Sequence, residues 1–401
     1  MSSFNVYIGP IHPALKEPIG FTFEVEGEKI VKANVNLGYN HRGIEKLLES
    51  KTWLQGAFVA EHVCGICSGA HHGCYCQGVE EVLDIEPPKR GLFIRTISWE
   101  LERIHSHLLW LGVFFHESGF DTLFMYTWRD RERTMDLFEE LSGRRVVYSL
   151  STVGGARRDV SEAFLSKLKR QARYFRERAD FYERLVLNDT TVLARFSNVG
   201  ILSREDALAL SAVGPTARAS GVLKDVRYEE PYGIYEETPF RIITRREGDA
   251  LAKTLVRIEE IKVSAEILEW MADHMPGGDV KVKIPPLAKA PPVEVISRVE
   301  APRGELLYYF KSTGGTRPYR VKIRTPTLAN ILPIIKMIEG GYIADIPIVV
   351  ASIDPCIACC ERVTIVDKDK GEKKVIPKRE LIRYSKEWFK RNLKELRGER
   401  L

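Results

Sequence analysis

The sequence runs to 401 residues, with 60 Lys and Arg against 55 Asp and Glu and a formal charge of +5. So even a balance gives no electrostatic argument for nucleic-acid binding. No apolar run approaches the roughly 18 uncharged residues of a spanning helix, and residues 1–10 lack the basic and apolar regions of a secretion signal, which predicts a soluble or peripheral, cytoplasmic protein.

Along the chain, "FTFEVEGEKIVKANVNL" at 21–37 alternates apolar and polar residues on either side of Glu26-Gly27 and reads as a hairpin. Apolar residues then recur at helical spacing over about 88–115, 123–141, 159–187 and 249–275. After the linker "KIPPLAKAPP" at 283–292 the texture turns strand-like in "VEVISRVE", "GELLYYFKS" and "RPYRVKIR". Thr325-Pro326 opens a helix directed toward Gly340-Gly341. "DIPIVVASIDPC" at 345–356 reads as a buried strand ending in a turn. The charged stretch 367–401 reads as a turn followed by a solvated amphipathic helix. This order predicts an α+β fold: a hairpin region over 1–50, a mainly helical bundle over 51–282, an α+β region over 283–366, and a basic-leaning tail over 367–401.

The seven cysteines fall in two clusters, unlike the spread framework of a disulfide-stapled secreted protein. Cys64 and Cys67 form one Cys-x-x-Cys, and Cys356 and Cys359 form another near the opposite end of the chain. Four thiolates make a soft donor set that suits zinc, an iron–sulfur cluster, or a nickel or iron centre. Zinc ribbons keep their pairs roughly 15–20 residues apart, and bacterial-type iron–sulfur motifs keep most ligands in one run. A shared site here therefore has to join the two ends across the fold. Cys74, Cys76 and Cys360 do not fit the paired spacing and read as buried small residues.

The ordered set "GPIHPALKEP" (9–18), "EHVCGICSGAH" (61–71), "ELERIHSHL" (100–108), "GGARRD" (154–159), "GPTARASG" (214–221), "EAPRGE" (300–305) and "DPCIACCER" (354–362) resembles the large subunits of membrane-bound, energy-converting nickel–iron hydrogenases. That family is homologous to a large subunit of respiratory complex I, and the resemblance runs along nearly the whole chain. It implies that Cys64, Cys67, Cys356 and Cys359 bind nickel, with Cys67 and Cys359 bridging to an iron that carries carbonyl and cyanide ligands. Cys356 would take part in catalysis, Glu17 would relay protons to a nickel thiolate, and Arg303 would set a guanidinium over the open metal position. His71 would hydrogen-bond a metal-bound sulfur, while Ser352 and Asp354 would order the adjoining turn and bond cyanide or backbone groups. His72 reads as incidental, and Glu102 on the "ELERIHSHL" helix is assigned no chemistry.

The resemblance further implies partners. Electrons would come from iron–sulfur clusters on a small subunit, since no remaining cysteine set here can ligate them. A complex-I-like membrane arm would hold the assembly at the cytoplasmic side of the membrane. The expected reaction is reversible combination of two protons and two electrons into hydrogen, in the evolving direction. Relatives place Thr or Ser where Cys360 stands, and many are clipped after the arginine matching Arg362. The tail is therefore either a maturation segment, a retained one, or the mark of a relative that has lost the metal and reduces quinone or polysulfide instead. A structural zinc scaffold would explain the cysteines but neither Glu17 nor Arg303.

Overall fold

The computed structural model describes residues 3–13, 15, 17–360, 365–366, 373–374 and 378–396. Arg362, after which clipping is expected, lies outside them. Strands β1 (Ser3–Ile8), β2 (Gly20–Glu26) and β3 (Lys29–Asn36) form an antiparallel sheet in the order β1-β2-β3. The predicted hairpin is β2–β3, turning at Gly27 with φ 63°, and β1 adds a strand to it. Helices α1 (Ile44–Glu49), α2 (Trp53–Glu61) and α3 (Ser68–Leu83) follow. Then come the long α4 (Lys89–Glu117) and α5 (Asp121–Ser142), the short strands β4 (Ser151–Thr152) and β5 (Gly155–Ala156), and α6 (Glu162–Asn188). Four short helices, α7 (Thr190–Phe196), α8 (Arg204–Ala209), α9 (Gly214–Ala219) and α10 (Val226–Glu229), lead to α11 (Ala250–Asp273). All four long helices predicted from spacing are present, and α4, α5, α6 and α11 pack together as the central bundle.

Strands β6 (Ala290–Ala301), β7 (Gly304–Gly315) and β8 (Arg320–Arg324) form the second three-stranded antiparallel sheet. Helix α3 lies between this sheet and the bundle and is buried along most of its length. Its close approach to α4 depends on Gly73, where a Cβ would stand 2.4 Å from the Trp99 ring.

Two expectations need correction. The helix expected from Pro326 is two, α12 (Pro326–Ala329) and α13 (Ile331–Ile338), because buried Asn330 turns its amide to Val213, accepting from its N–H at 3.0 Å and donating to its carbonyl at 3.2 Å. The supposed strand after Asp345 is the helix α14 (Ile346–Ser352), packed against α4 and α11. A short apolar run buried on all sides has no readable period, and Pro347 in the first turn is compatible with a helix start. α13, α14 and the N-terminal sheet share one core, so residues from both ends of the chain are packed together. The last helix, α15 (Lys378–Leu396), is amphipathic, with Ile382, Trp388 and Phe389 exposed. No helix among the described residues is long and apolar enough to cross a membrane. The fold is α+β, with a central bundle and small terminal sheets, and the two cysteine-bearing segments meet beside the bundle.

Candidate metal centre

The first cysteine pair occupies the turn from α2 into α3. Thr52 starts α2 with a reciprocal capping box to Gln55, and Cys67 is the residue from which α3 begins. Backbone N–H groups of Ile66 and Cys67 both point at the Cys64 sulfur, at 3.3 Å. The second pair lies in the turn after α14. Asp354, at φ 58°, takes the left-handed conformation that aspartate tolerates and sends the chain round to Cys356. Two threonines around Pro326 fix that turn. Thr327 Oγ1 accepts from the Cys356 N–H at 3.0 Å, and the Thr325 hydroxyl donates to the Cys359 carbonyl at 3.0 Å.

These turns bring all four paired cysteines together. Cys64 and Cys356 sulfurs are 3.3 Å apart and those of Cys356 and Cys359 3.0 Å, and all four side chains are buried. The donor atoms of Cys64, Cys356 and Cys359 lie within 4.8 Å of one another, as do those of Cys67, His71 and Cys359. The chemistry of this donor set fits a bound cation. The neighbouring sulfurs and then burial push Cys67, Cys356 and Cys359 well above the usual thiol range, whereas hydrogen bonds from Cys356, Cys359 and Cys67 hold Cys64 well below it. Ionising the whole set requires positive charge among the sulfurs, which a thiophilic metal supplies.

His71, on the first turns of α3, is fully buried. Its Nδ1 is 2.8 Å from the Tyr308 hydroxyl and its Nε2 is 3.7 Å from the Cys359 sulfur. Burial pushes it down to about 4, so the ring is neutral at physiological pH. The tautomer with hydrogen on Nε2 satisfies both contacts: the Tyr308 O–H donates to Nδ1, and Nε2–H is directed at the Cys359 sulfur.

Arg303 is buried beside the thiols. Its Nε donates to the Asp354 carbonyl at 2.8 Å, Nη2 to Asp354 Oδ1 at 2.7 Å and Nη1 to the Ser106 hydroxyl at 3.2 Å. Burial opposes its charge, but Asp354 and then Cys356, Cys67 and Cys64 more than offset this and hold it firmly cationic. Its placement relies on Gly214 at φ 68°, where a Cβ would stand 2.2 Å from the Arg303 carbonyl oxygen. Burial raises Asp354 despite Arg303, and its Oδ2 has no hydrogen-bond partner among the described residues. Ser352 is buried in the last turn of α14, its hydroxyl donating to the Val349 carbonyl at 2.8 Å.

Glu17 reaches the second turn from the N-terminal segment. One carboxylate oxygen accepts from the N–H groups of Ile357 and, at 3.0 Å, Ala358. Burial raises its pKa and the Ala358 N–H draws it back part of the way. His72, by contrast, faces Glu61, with Nδ1 3.1 Å from a carboxylate oxygen. Burial pushes Cys74 and Cys360 up to about 12, and Cys76 higher still, so these three remain neutral thiols.

Three supporting groups escaped sequence reasoning. Tyr308 orients His71. Glu102, fully buried on α4, accepts from the N–H groups of Gly69 at 2.7 Å and Ala70 at 2.9 Å, just after Cys67. Arg42 bonds carbonyls in both cysteine turns. A buried ionic network lies nearby: Arg218 contacts Glu260, Glu300 and Asp225 at 2.8, 2.7 and 3.1 Å, tying α9, α11 and the residue that caps α10 to β6.

Two family models match: the respiratory-chain NADH dehydrogenase 49 kDa subunit over residues 117–291 and 287–362, and nickel-dependent hydrogenase over 42–162. The chain is 40% identical to the membrane-bound hydrogenase subunit alpha of Pyrococcus furiosus, over 98% of this chain and 95% of that protein. It is 35% identical to the carbon monoxide-induced hydrogenase of Rhodospirillum rubrum, over 90% of this chain and 100% of that protein. Among solved structures it resembles a chain of the membrane-bound sulfane sulfur reductase, an archaeal respiratory membrane complex, with a TM-score of 0.85 at 32% identity over 90% of this chain and 98% of that one. The ordered motifs, the fold and the thiol cluster agree with these matches: the chain belongs to the family of oxidoreductase large subunits shared by membrane-bound, energy-converting nickel–iron hydrogenases and respiratory complex I.

Proposed function

We propose that this protein is the catalytic large subunit of a membrane-associated nickel–iron hydrogenase, interconverting two protons and two electrons with hydrogen and working in the evolving direction. The observation that carries the reading is the convergence of four buried thiols, from opposite ends of the chain, into one compact donor set. Cys64, Cys67, Cys356 and Cys359 would hold nickel, and Cys67 and Cys359 would also hold the iron with its carbonyl and cyanide ligands. That bimetallic centre, when bound, supplies the redox chemistry at hydrogen. The protein supplies what surrounds it. Arg303 fixes a positive charge against the thiols, and Asp354 fixes Arg303. His71 donates toward the Cys359 sulfur and so limits its charge. Ser352 holds the end of α14, from which the second cysteine turn departs.

Glu17 would pass a proton between that turn and the exterior. Its carboxyl is half-buried, anchored through Ile357 and Ala358 N–H groups, and one residue along from Cys356, whose sulfur is the proposed proton-holding atom. Electrons would arrive from iron–sulfur clusters on a small partner subunit. A complex-I-like membrane arm would couple the reaction to ion translocation, with this subunit peripheral on the cytoplasmic side.

The similarity to the sulfane sulfur reductase favours a second reading, a sulfur-reducing or complex-I-like subunit without the metal centre. One experiment separates them: nickel and iron content of the purified native complex, together with the mass of this subunit. About one nickel per chain and a mass ending near Arg362 is the expected result. No nickel, with a chain intact to Leu401, overturns the hydrogenase reading.

A further inference from the structure

Arg42 lies in the connection from β3 to α1, immediately before Gly43, whose φ of 70° starts the helix. Its Nη1 donates to the His62 carbonyl at 2.9 Å, and its Nη2 donates to the Val63 carbonyl at 2.6 Å and the Ala358 carbonyl at 3.2 Å. His62 and Val63 lead directly into Cys64, and Ala358 lies between Cys356 and Cys359. One planar guanidinium thus bonds the backbone of both cysteine turns from outside the sulfur cluster. The carbonyls it gathers carry like partial charges and, without a shared donor, would favour separation of the two turns. A lysine ammonium is a compact point charge on a flexible stem and does not reproduce the planar fork.

We propose that Arg42 is a positioning residue that sets the separation of the two cysteine turns and hence the reach between the Cys64 and Cys356 sulfurs. The inference builds on the proposed function, because a metal shared by both turns needs that reach before it arrives. Its test needs no metal.

The full-length chain, stripped of metal by chelation and reduced, is treated with diamide, which accepts two electrons and two protons as two thiols become a disulfide. Peptide mapping then gives the ratio of the between-turn Cys64–Cys356 disulfide to the within-turn Cys356–Cys359 disulfide. The wild-type sulfurs are 3.3 and 3.0 Å apart, so both products are expected. In Arg42→Gln the ratio should fall several-fold, because the within-turn pair keeps its Thr325 and Thr327 contacts while the span between the turns loses the clamp. In Arg42→Ala, added ethylguanidinium should return it toward the wild-type value, a rescue that general loosening of the fold would not show. A wild-type ratio in both variants overturns the proposal, as does a lowered ratio that ethylguanidinium leaves unchanged. Should either variant fail to fold by circular dichroism, Arg42→Lys gives the same readout: a lowered ratio supports the fork, and a wild-type ratio overturns it. Absence of nickel from the native complex would sink the hydrogenase reading and leave this ratio unaffected.

Discussion

Replacing Glu102 with glutamine separates two effects of one buried carboxyl. Its oxygens accept the N–H groups of Gly69 and Ala70, and burial pushes it up to about 8 from an ordinary value of 4.5. The unfolded chain ionises near the ordinary value while the folded chain holds its proton, so the sign is fixed. This group's contribution to stability is fully present below about pH 4.5 and is lost as pH rises through about 8. At about 1.4 kcal/mol per unit, the loss across that window is on the order of several kcal/mol. Glutamine cannot titrate and offers one acceptor oxygen instead of two. One of the N–H groups therefore loses its partner, a pH-independent cost of about 1–3 kcal/mol. The assay is the thermal midpoint of the metal-free chain and of Glu102→Gln at half-unit steps from pH 5 to 8. Subtracting the two removes groups that titrate in both proteins, such as Glu300, pushed up to about 7, and His107, pushed down to about 4. The variant should be less stable at pH 5, and its deficit should shrink or reverse by pH 8. A deficit constant across the range would refute the reasoning.

Three further outcomes follow from the site. Glu17→Gln keeps an acceptor for the Ile357 and Ala358 N–H groups but cannot ionise; hydrogen turnover should vanish with nickel content intact, and wild-type rates would remove Glu17 from the proton path. Cys359→Ser should leave the purified complex without nickel, measured by elemental analysis, and a normally metallated variant would end the bridging assignment. Arg303→Lys keeps the charge but loses the fork to Asp354 and Ser106; kcat should drop by about 10- to 100-fold at unchanged metal content, and an unchanged kcat would show that charge alone suffices.

What was legible in the sequence depended on whether a residue's partner also left a mark there. α6 is amphipathic, with one face on the bundle and the other in water, and its spacing announced it. α3 is buried on nearly every side and mixes Gly, His and Cys, so no stripe marked it. Residues 346–352 failed for the same reason, since burial on all faces erases the period that separates helix from strand. The paired cysteines were legible because each partner is itself a cysteine in the same spacing, and Glu17, His71 and Arg303 came through the motifs around them.

Arg42 and Glu102 were silent because what they hold is backbone. Carbonyls and N–H groups occur at almost every residue and leave no composition to read, and only the fold decides which ones face a side chain. Glu102 accepts two adjacent N–H groups beside Cys67, and Glu17 accepts two adjacent N–H groups between Cys356 and Cys359. Each cysteine turn is thus steadied by a carboxyl from a distant part of the chain, while Arg42 bonds both. A site built from two ends of a chain has no short local segment to hold its geometry. These long-range contacts to the backbone do that, leaving the sulfurs available to a metal.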